Sequence, residues 1–413
     1  MLRPPRPLVH PVLVCALRIR VCHIPTRAAL LSHLGVKRTL GGELLAERVG
    51  DALPLRELTA RMGAARTLHS LLGARPDTRS FAHHAGNPLE VDVLIVDEAS
   101  MVHLEMMACL LDALPPGATL ILLGDKDQLA SVEAGAVLGD ICSGADDAAG
   151  ERPMTRCVAH LRKSYRYREG SGIEALALAV NAGDAERVLE VLKSADYPDV
   201  RWVEGAIHRR LPKALIEQCV QGFRPALSAG DSGDRLQALG AFRVLCAHHQ
   251  GAASTTLVNE QLPRHLVEAG LLSAAALGPH AELYDGRPLM ISRNDYEMSL
   301  FNGDVGLLVR EAERFRLVID GDAGELRRIP FARLPEHQSV FAMSIHKSQG
   351  SEFDDLAVVL PPEASPVLSR ELLYTAITRA RTSVCVYGTQ EILSACAKGR
   401  TERHSGLRQA LWE

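Results

Sequence analysis

The sequence predicts an α/β protein built from two parallel-sheet domains with a small β insert in the second. Three observations carry this. Short apolar runs bounded by turn residues alternate with helical periodicity along the chain, the pattern of α/β folds. The strands read as nearly continuous apolar runs such as "VDVLIV" and "ATLILL", as expected where helices cover both faces of a parallel sheet. Between 284 and 338 the pattern changes to Gly- and Asp-rich turns separating short β-like runs ("RPLMISRND", "GDVGLLV", "FRLVIDGD", "RRIPF").

The elements follow in order. "PVLVCALRIRV" near the start reads as a core strand, since Pro11 and His10 interrupt it as a signal peptide and arginines follow it without a cleavage-like site. "VLIVDEAS", Val93 to Ser100, is a buried strand ending in two adjacent carboxylates. The next segment places Leu104, Met107, Leu111 and Leu114 at helical spacing, and Pro115-Pro116-Gly117 ends that helix. "ATLILLGDKDQL" is a second buried strand, so both acidic motifs sit past the carboxyl ends of neighbouring strands, where open α/β sheets bind ligands. Residues 143–156 read as a loop, and 166–240 as a mainly helical connection. A new α/β pattern opens at "FRVLCAHH" and resumes after the insert with "FAMSIHKSQG", "LAVVLP" and "SVCVYG". The domain reading is therefore 1–165, 166–240, 241–283 with 339–413, and the insert 284–338.

Bulk composition excludes several classes. Net charge is −4, hydrophobic content 47% and charged content 23%, which fits a folded globular chain rather than disorder. The charge is unevenly placed. Residues 1–80 carry thirteen Lys/Arg against five Asp/Glu, and residues 81–150 one against twelve. That polarity suits a polyanion-facing surface as well as solvated Arg-rich helices. The nine cysteines form no C-x-x-C pair, which argues for reduced thiols in a cytoplasmic protein. No apolar run reaches the ~20 residues of a membrane span.

Five motifs carry chemistry. Asp97-Glu98 at a strand end can hold Mg²⁺ through the first carboxylate and polarise water through the second. Gln128, in "GDKDQL", can bond a γ-phosphate or its attacking water. Arg166, in "LRKSYR", offers bidentate guanidinium geometry to phosphate. "SIHKSQGSEFD" combines Ser344, His346, Lys347 and Gly350 at a strand-to-helix junction, a mixture suited to a nucleic-acid backbone. "ELLYTAITRARTS" puts Thr375, Thr378 and Arg379 on one helical face, with Arg379 a candidate arginine finger.

Taken together and in order, these stretches resemble the RecD family, the alpha subunits of the RecBCD exodeoxyribonuclease V, which are superfamily 1 DNA helicases moving 5′ to 3′. The resemblance runs from about residue 65 to the end. It rests also on "TLHSLLGA", "HHAGNPL", "LLGDKDQLASVEAGAVLGDIC", "SGI", "YDGRPLMISRND", "LFNGDVGL", "RLPEH" and "TERHSGL". It implies two RecA-like motor domains with ATP at their interface, single-stranded DNA across the top, an SH3-like insert, and a heterotrimer with RecB-like and RecC-like subunits acting in double-strand break repair. It implies Asp97 on Mg²⁺, Glu98 as general base, Gln128 as the coupling glutamine, and Arg166 and Arg379 on the γ-phosphate. Gly350 and Glu352 would bridge nucleotide and DNA, with Ser344, His346, Lys347 and Thr375 towards the strand. Thr26, in "RIRVCHIPTRAAL", would belong to a degenerate DNA-contacting motif.

One departure stands out. The family's phosphate loop, G-x-x-x-x-G-K-[ST], is absent, since none of the seven lysines follows a glycine. The expectation from sequence is that this loop ended near or before Met1 through truncation, and that the polypeptide as written has lost ATP-driven unwinding. The rival reading is thus an ATPase-silent fragment that binds DNA or partner subunits.

Overall fold

The computed structural model describes residues 13–17, 66–75, 80–130, 136–143, 157–161, 166–278, 282–321, 325–400 and 406–412. They divide into two compact units, one covering the described residues up to 161 together with the final helix, the other 166–400.

The first unit holds a four-stranded sheet of β1 (Leu13–Leu17), β2 (Arg66–Thr67), β3 (Val93–Val96) and β4 (Thr119–Leu122), in the order β2-β1-β3-β4. β3 and β4 run parallel, Val93 opposite Thr119 through Val96 opposite Leu122. Helix Leu104–Ala113 connects them, its first turn closed by His103 Nδ1, which accepts from the Met106 amide. β1 departs from the expectation of an all-parallel sheet, because it pairs antiparallel with both β3 and β2. The open edge of β3 needs partners for its amides and carbonyls, and an antiparallel neighbour meets that need at least as well as a parallel one. Of the residues read at helical spacing, Met107 is buried and Leu104 and Leu114 pack against the core, whereas Leu111 is 54% exposed and Met106, Leu110 and Ala113 complete the buried face. The core gathers Leu72, Leu94, Val96, Ala99 and Leu110.

The second unit is built on a fully parallel sheet. After helices Gly172–Ala182 and Ala185–Lys193 come β5 (Val200–Glu204), helix Lys213–Ser228 and β6 (Phe242–Cys246). The insert follows as β7 (Arg287–Ile291), β8 (Val305–Glu311), β9 (Arg314–Asp320), β10 (Leu326–Pro330) and β11 (His337–Ser339), all antiparallel in the order β10-β9-β8-β7-β11. This is the β unit the sequence predicts. The parallel sheet resumes with β12 (Ala342–Ser344), β13 (Phe353–Val359) and β14 (Ala380–Gly388), giving the order β12-β6-β13-β14-β5. Phe223 sits edge-on against both Phe242 and Phe341, with centroids 5.0 and 5.2 Å away, at the centre of the core. Asn259 pins β12 to helix Thr255–Glu268 by giving Nδ2 to the Ala342 carbonyl and accepting the Ala342 amide, both at 2.9 Å.

Two sequence-based boundaries are corrected. Segment 166–240 is mainly helical as expected, but its strand β5 forms the sheet edge beside β14, so it belongs to the second unit. The last helix, Leu407–Trp412, was read with the second domain, yet it packs in the first unit. The Trp412 indole donates to the Asp140 carbonyl at 2.9 Å, beside the Ser143 hydroxyl that the same helix-end carbonyl accepts. No helix among the described residues is long and apolar enough to cross a membrane. Cys109, Cys142, Cys157, Cys219, Cys246, Cys385 and Cys396 are free thiols.

Candidate functional site

In the first unit the site grows from the end of β3. The strand's last carbonyl, on Val96, accepts the Leu123 amide at 2.8 Å, and the Leu123 carbonyl accepts the Ala99 amide at 2.8 Å, so the acidic turn is locked to the neighbouring strand. Between these bonds lie Asp97 and Glu98. Asp97 Oδ1 accepts the Glu98 amide at 2.9 Å. Glu98 adopts a left-handed conformation, φ 54° and ψ 39°, unusual for a residue with a side chain. Such backbone strain persists only where the surroundings impose it, and it gathers at functional sites. Burial, reinforced by the adjacent Glu98 charge and opposed by the Glu98 amide, pushes the Asp97 carboxyl up to about 6.

This linkage has a definite sign. Asp97 binds its proton more tightly folded than unfolded, so its ionisation costs stability as pH rises from about 4 to 6. Asp97→Asn should therefore raise the thermal midpoint relative to wild type at pH 7.5 and lose that advantage near pH 4. A constant difference across this range would contradict the burial of the charge.

Gly124, one position past Leu123, is needed for space. A Cβ there would lie 2.8 Å from Leu138 Cδ2 and 3.1 Å from the amide nitrogens of both Ala99 and Ser100. Gly124→Ala should push the acidic turn away and lower stability by about 1–3 kcal/mol, read as a denaturant midpoint. Past Gly124, Asp125 Oδ1 accepts the Asp127 amide and Oδ2 accepts Gln128 Nε2 at 3.2 Å. Gln128 is only 7% exposed, and its Oε1 has no hydrogen-bond partner among the described residues; the same holds for the buried Ser100 hydroxyl. Orphaned buried oxygens cost about 1–3 kcal/mol each, which marks a place prepared for something polar. A hard divalent cation fits the paired carboxylates, since Mg²⁺ typically takes one or two carboxylates and otherwise water and phosphate oxygens. No cluster of three or more His, Cys, Asp or Glu among the described residues offers an alternative metal cage.

The second unit brings together a different constellation. Ser344 ends β12, and its hydroxyl accepts the Lys347 amide at 3.3 Å, closing the 3₁₀ turn His346–Ser348. Burial pushes the Lys347 ammonium below its ordinary value, with Glu336 opposing. Gly350 has φ +76°, a conformation glycine takes without penalty, and the chain then delivers Glu352 to the start of β13. Glu352 is held from two sides. Its Oε1 accepts Arg166 Nε at 2.8 Å, and its Oε2 accepts Arg381 Nε and Nη2 at 2.8 and 2.6 Å. Arg166 also donates through Nη1 to the Thr378 carbonyl at 2.8 Å. Burial pushes the Glu352 carboxyl up, but the two guanidinium charges and their hydrogen bonds outweigh it and hold it below the usual range.

Arg381 was missed from sequence, although it is the second arginine of "TRAR" and the one that grips Glu352 in a fork. Arg379, read as the candidate finger, is fully buried, its Nε donating to the Thr375 carbonyl and Nη1 to the Ser351 carbonyl, each at 3.3 Å. Thr375 is fully buried as well, on helix Arg370–Ile377. Thr26 and most of the basic stretch 1–80 lie outside the described residues. The structure thus gathers Asp97, Glu98 and Gln128 in one unit, and Arg166, Glu352, Arg379, Ser344, His346 and Lys347 in the other.

Family models match two stretches, an AAA domain over residues 50–203 and a UvrD-like helicase C-terminal domain over 339–387. RecBCD enzyme subunit RecD of Mycolicibacterium smegmatis is 42% identical over 362 residues, covering 87% of this chain and 61% of that protein. The Haemophilus influenzae RecD subunit is 32% identical, with 96% and 66% coverage. The ATP-dependent RecD2 DNA helicase of Deinococcus radiodurans is 30% identical, over 88% of this chain and 46% of its own. The chain spans about three fifths of the length of the first of these relatives. Among solved structures, a Bacteroides Pif1 helicase in complex with ADP-AlF3 and ssDNA aligns with a TM-score of 0.42 at 16% identity, covering 84% of this chain and 82% of that one.

Proposed function

Since the chain belongs to the RecD family and carries its two RecA-like α/β folds, we propose that it serves as motor core in an ATP-dependent DNA helicase of the RecBCD type. The reading includes 5′ to 3′ movement on single-stranded DNA, assembly with RecB-like and RecC-like subunits, and a cytoplasmic role in double-strand break repair and recombination. The observation that carries it is the acidic turn: a left-handed Glu98 beside an Asp97 whose carboxyl is pushed up to about 6, with the orphaned Gln128 oxygen in the same unit, past the neighbouring strand.

On this reading Asp97 would hold Mg²⁺, which would supply positive charge against the nucleotide's phosphates. Glu98 takes a proton from the attacking water. Gln128 Oε1 accepts from that same water, and its amide, now on Asp125, can turn to the phosphate. Arg166, once Nη1 leaves the Thr378 carbonyl, and Arg379, once Thr375 and Ser351 release it, are the guanidinium candidates for the γ-phosphate. Gly350 and Glu352 would then pass nucleotide state to the turn of Ser344, His346 and Lys347, which with Thr375 would serve the DNA strand.

The test is ATP hydrolysis by the chain with and without single-stranded DNA, together with unwinding of duplexes tailed at either end. DNA-stimulated turnover with preference for a 5′ tail supports the motor. DNA binding with no turnover at any ATP concentration would identify a silent fragment instead.

A further inference from the structure

The β insert carries a feature that the ATPase reading does not use. Between β7 and β8 the chain forms a small closed tip, 292–304, that holds two aromatic rings outward. Tyr296 is 72% exposed and Phe301 38%, with their centroids 6.2 Å apart at 75°. Among the exposed large apolar side chains of the described residues they form the one ring–ring pair. Exposure of this kind is costly unless it has a use.

The tip is braced from several sides. Asp295 and Leu300 exchange backbone hydrogen bonds at 2.7 and 2.9 Å. Asp295 Oδ1 accepts the Met298 amide, Asn294 Oδ1 the Asn302 amide, and Asp304 Oδ2 the Phe301 amide, at 3.0, 2.7 and 2.8 Å. The Arg327 guanidinium donates to the Met298 and Ser299 carbonyls from β10. Leu300, fully buried, plugs into the core of the insert with Leu289, Ile291 and Leu308, which forces its neighbour Phe301 outward. The rings are therefore presented on a fixed mount, at little further cost in ordering.

The surroundings favour an anionic, ring-bearing partner. Beginning at Glu297, beside Tyr296, an open depression of about 570 Å³ is lined by Arg327, Arg333 and Arg328, the last already ion-paired with Glu311 at 2.6 Å, with Glu297 and Glu325 on the same rim. Arg293 adds a further guanidinium on the tip itself. Arg327 is bound to carbonyls rather than to a carboxylate, and among the described residues neither Arg293 nor Arg333 is held in an ion pair. Aromatic faces rimmed by arginine are how proteins hold unpaired bases without reading sequence.

We propose that this tip is a separate contact for single-stranded DNA, in which an unpaired base stacks on Tyr296 beside Phe301 while Arg293 and Arg333 neutralise the flanking phosphates. The proposal rests on the reading of the chain as a single-strand-handling protein and adds a site outside both α/β cores.

The test compares binding of the full chain to a labelled oligothymidylate and to an abasic oligomer of equal length and charge. Tyr296→Ala should weaken oligothymidylate binding about tenfold, leave the abasic oligomer unchanged and leave the thermal midpoint in place, because stacking needs the base and the ring alone. Tyr296→Trp should restore binding. Arg333→Ala should weaken both oligomers and lower the salt slope by about one. Equal binding by wild type and Tyr296→Ala overturns the proposal, as does equal loss of both oligomers. Intact DNA binding with lost capture of partner subunits would overturn it too, in favour of a protein contact. A wild-type chain that retains neither oligomer overturns this proposal together with the reading beneath it, whereas indifference to Tyr296 in a chain that retains them overturns this proposal alone.

Discussion

Glu98→Gln should lower the kcat of DNA-stimulated ATP hydrolysis about a thousandfold, within the range a positioned general base supplies, while KM for ATP and the affinity for single-stranded DNA stay close to wild type. The physical basis is that the substitution keeps the length, the left-handed backbone and the Asp97 Oδ1 contact to the residue's own amide, and removes only the capacity to accept a proton. An interaction made in the transition state alone lowers kcat without touching ground-state binding. The 413 residues hold no G-x-x-x-x-G-K-[ST]. Within them ATP therefore forgoes several charge-assisted bonds at the β- and γ-phosphates, each worth about 1.5–3 kcal/mol, and turnover should need high ATP concentrations. Initial rates over a wide ATP range, with and without oligonucleotide, decide the matter. A rate that survives the substitution would remove Glu98 from the mechanism.

Glu352→Gln should lower the stability of the second unit by about 2–3 kcal/mol, less than the 3–5 kcal/mol of a fully buried pair because the partners keep some solvent contact. One carboxylate here satisfies two guanidiniums, and side-chain exposures of 17% for Glu352, 27% for Arg166 and 32% for Arg381 leave both poorly solvated once it is gone. The pH dependence has a fixed direction. Glu352 is held below its ordinary value in the folded chain, so its contribution is complete above the unfolded value near 4.5 and fades as pH falls through the folded one. The deficit of the variant should therefore be full at pH 7 and vanish in acid. Arg381→Lys should recover only part of the loss of Arg381→Ala, since a point charge cannot give Oε2 two parallel N–H bonds. Equal midpoints for wild type and Glu352→Gln at pH 7 would show the pair to be energetically idle.

The local placement of the candidate site is legible in the sequence. A carboxylate pair closing an apolar strand, a Gly-Asp turn closing the next, and a glycine followed two residues later by glutamate are local patterns, and each occupies the place its neighbours in sequence dictate. The β insert was equally legible, because turn residues at short intervals leave no room for helices. Other features were not. Arg379 and Arg381 are two residues apart, and nothing in their spacing says that the first is sealed in the core while the second grips Glu352. On helix Leu104–Ala113 the spacing finds Leu104, Met107 and Leu114 on the core side but also includes Leu111, which is exposed, and only the packing beneath selects Met106, Leu110 and Ala113 beside them.

The sequence by itself determined where each strand ends, which side chains stand at those ends, and the family to which their order points, since these depend on periodicity and chemistry within a few residues. The tertiary structure alone decided that Arg166 and Arg381 share one carboxylate, that β1 runs antiparallel beside β3, that β5 closes the second sheet, and that Trp412 returns to the first unit. Each of those is a pairing across tens to hundreds of residues, chosen by which buried donor, acceptor or charge would otherwise go unsatisfied. That competition is settled only when the whole chain is packed.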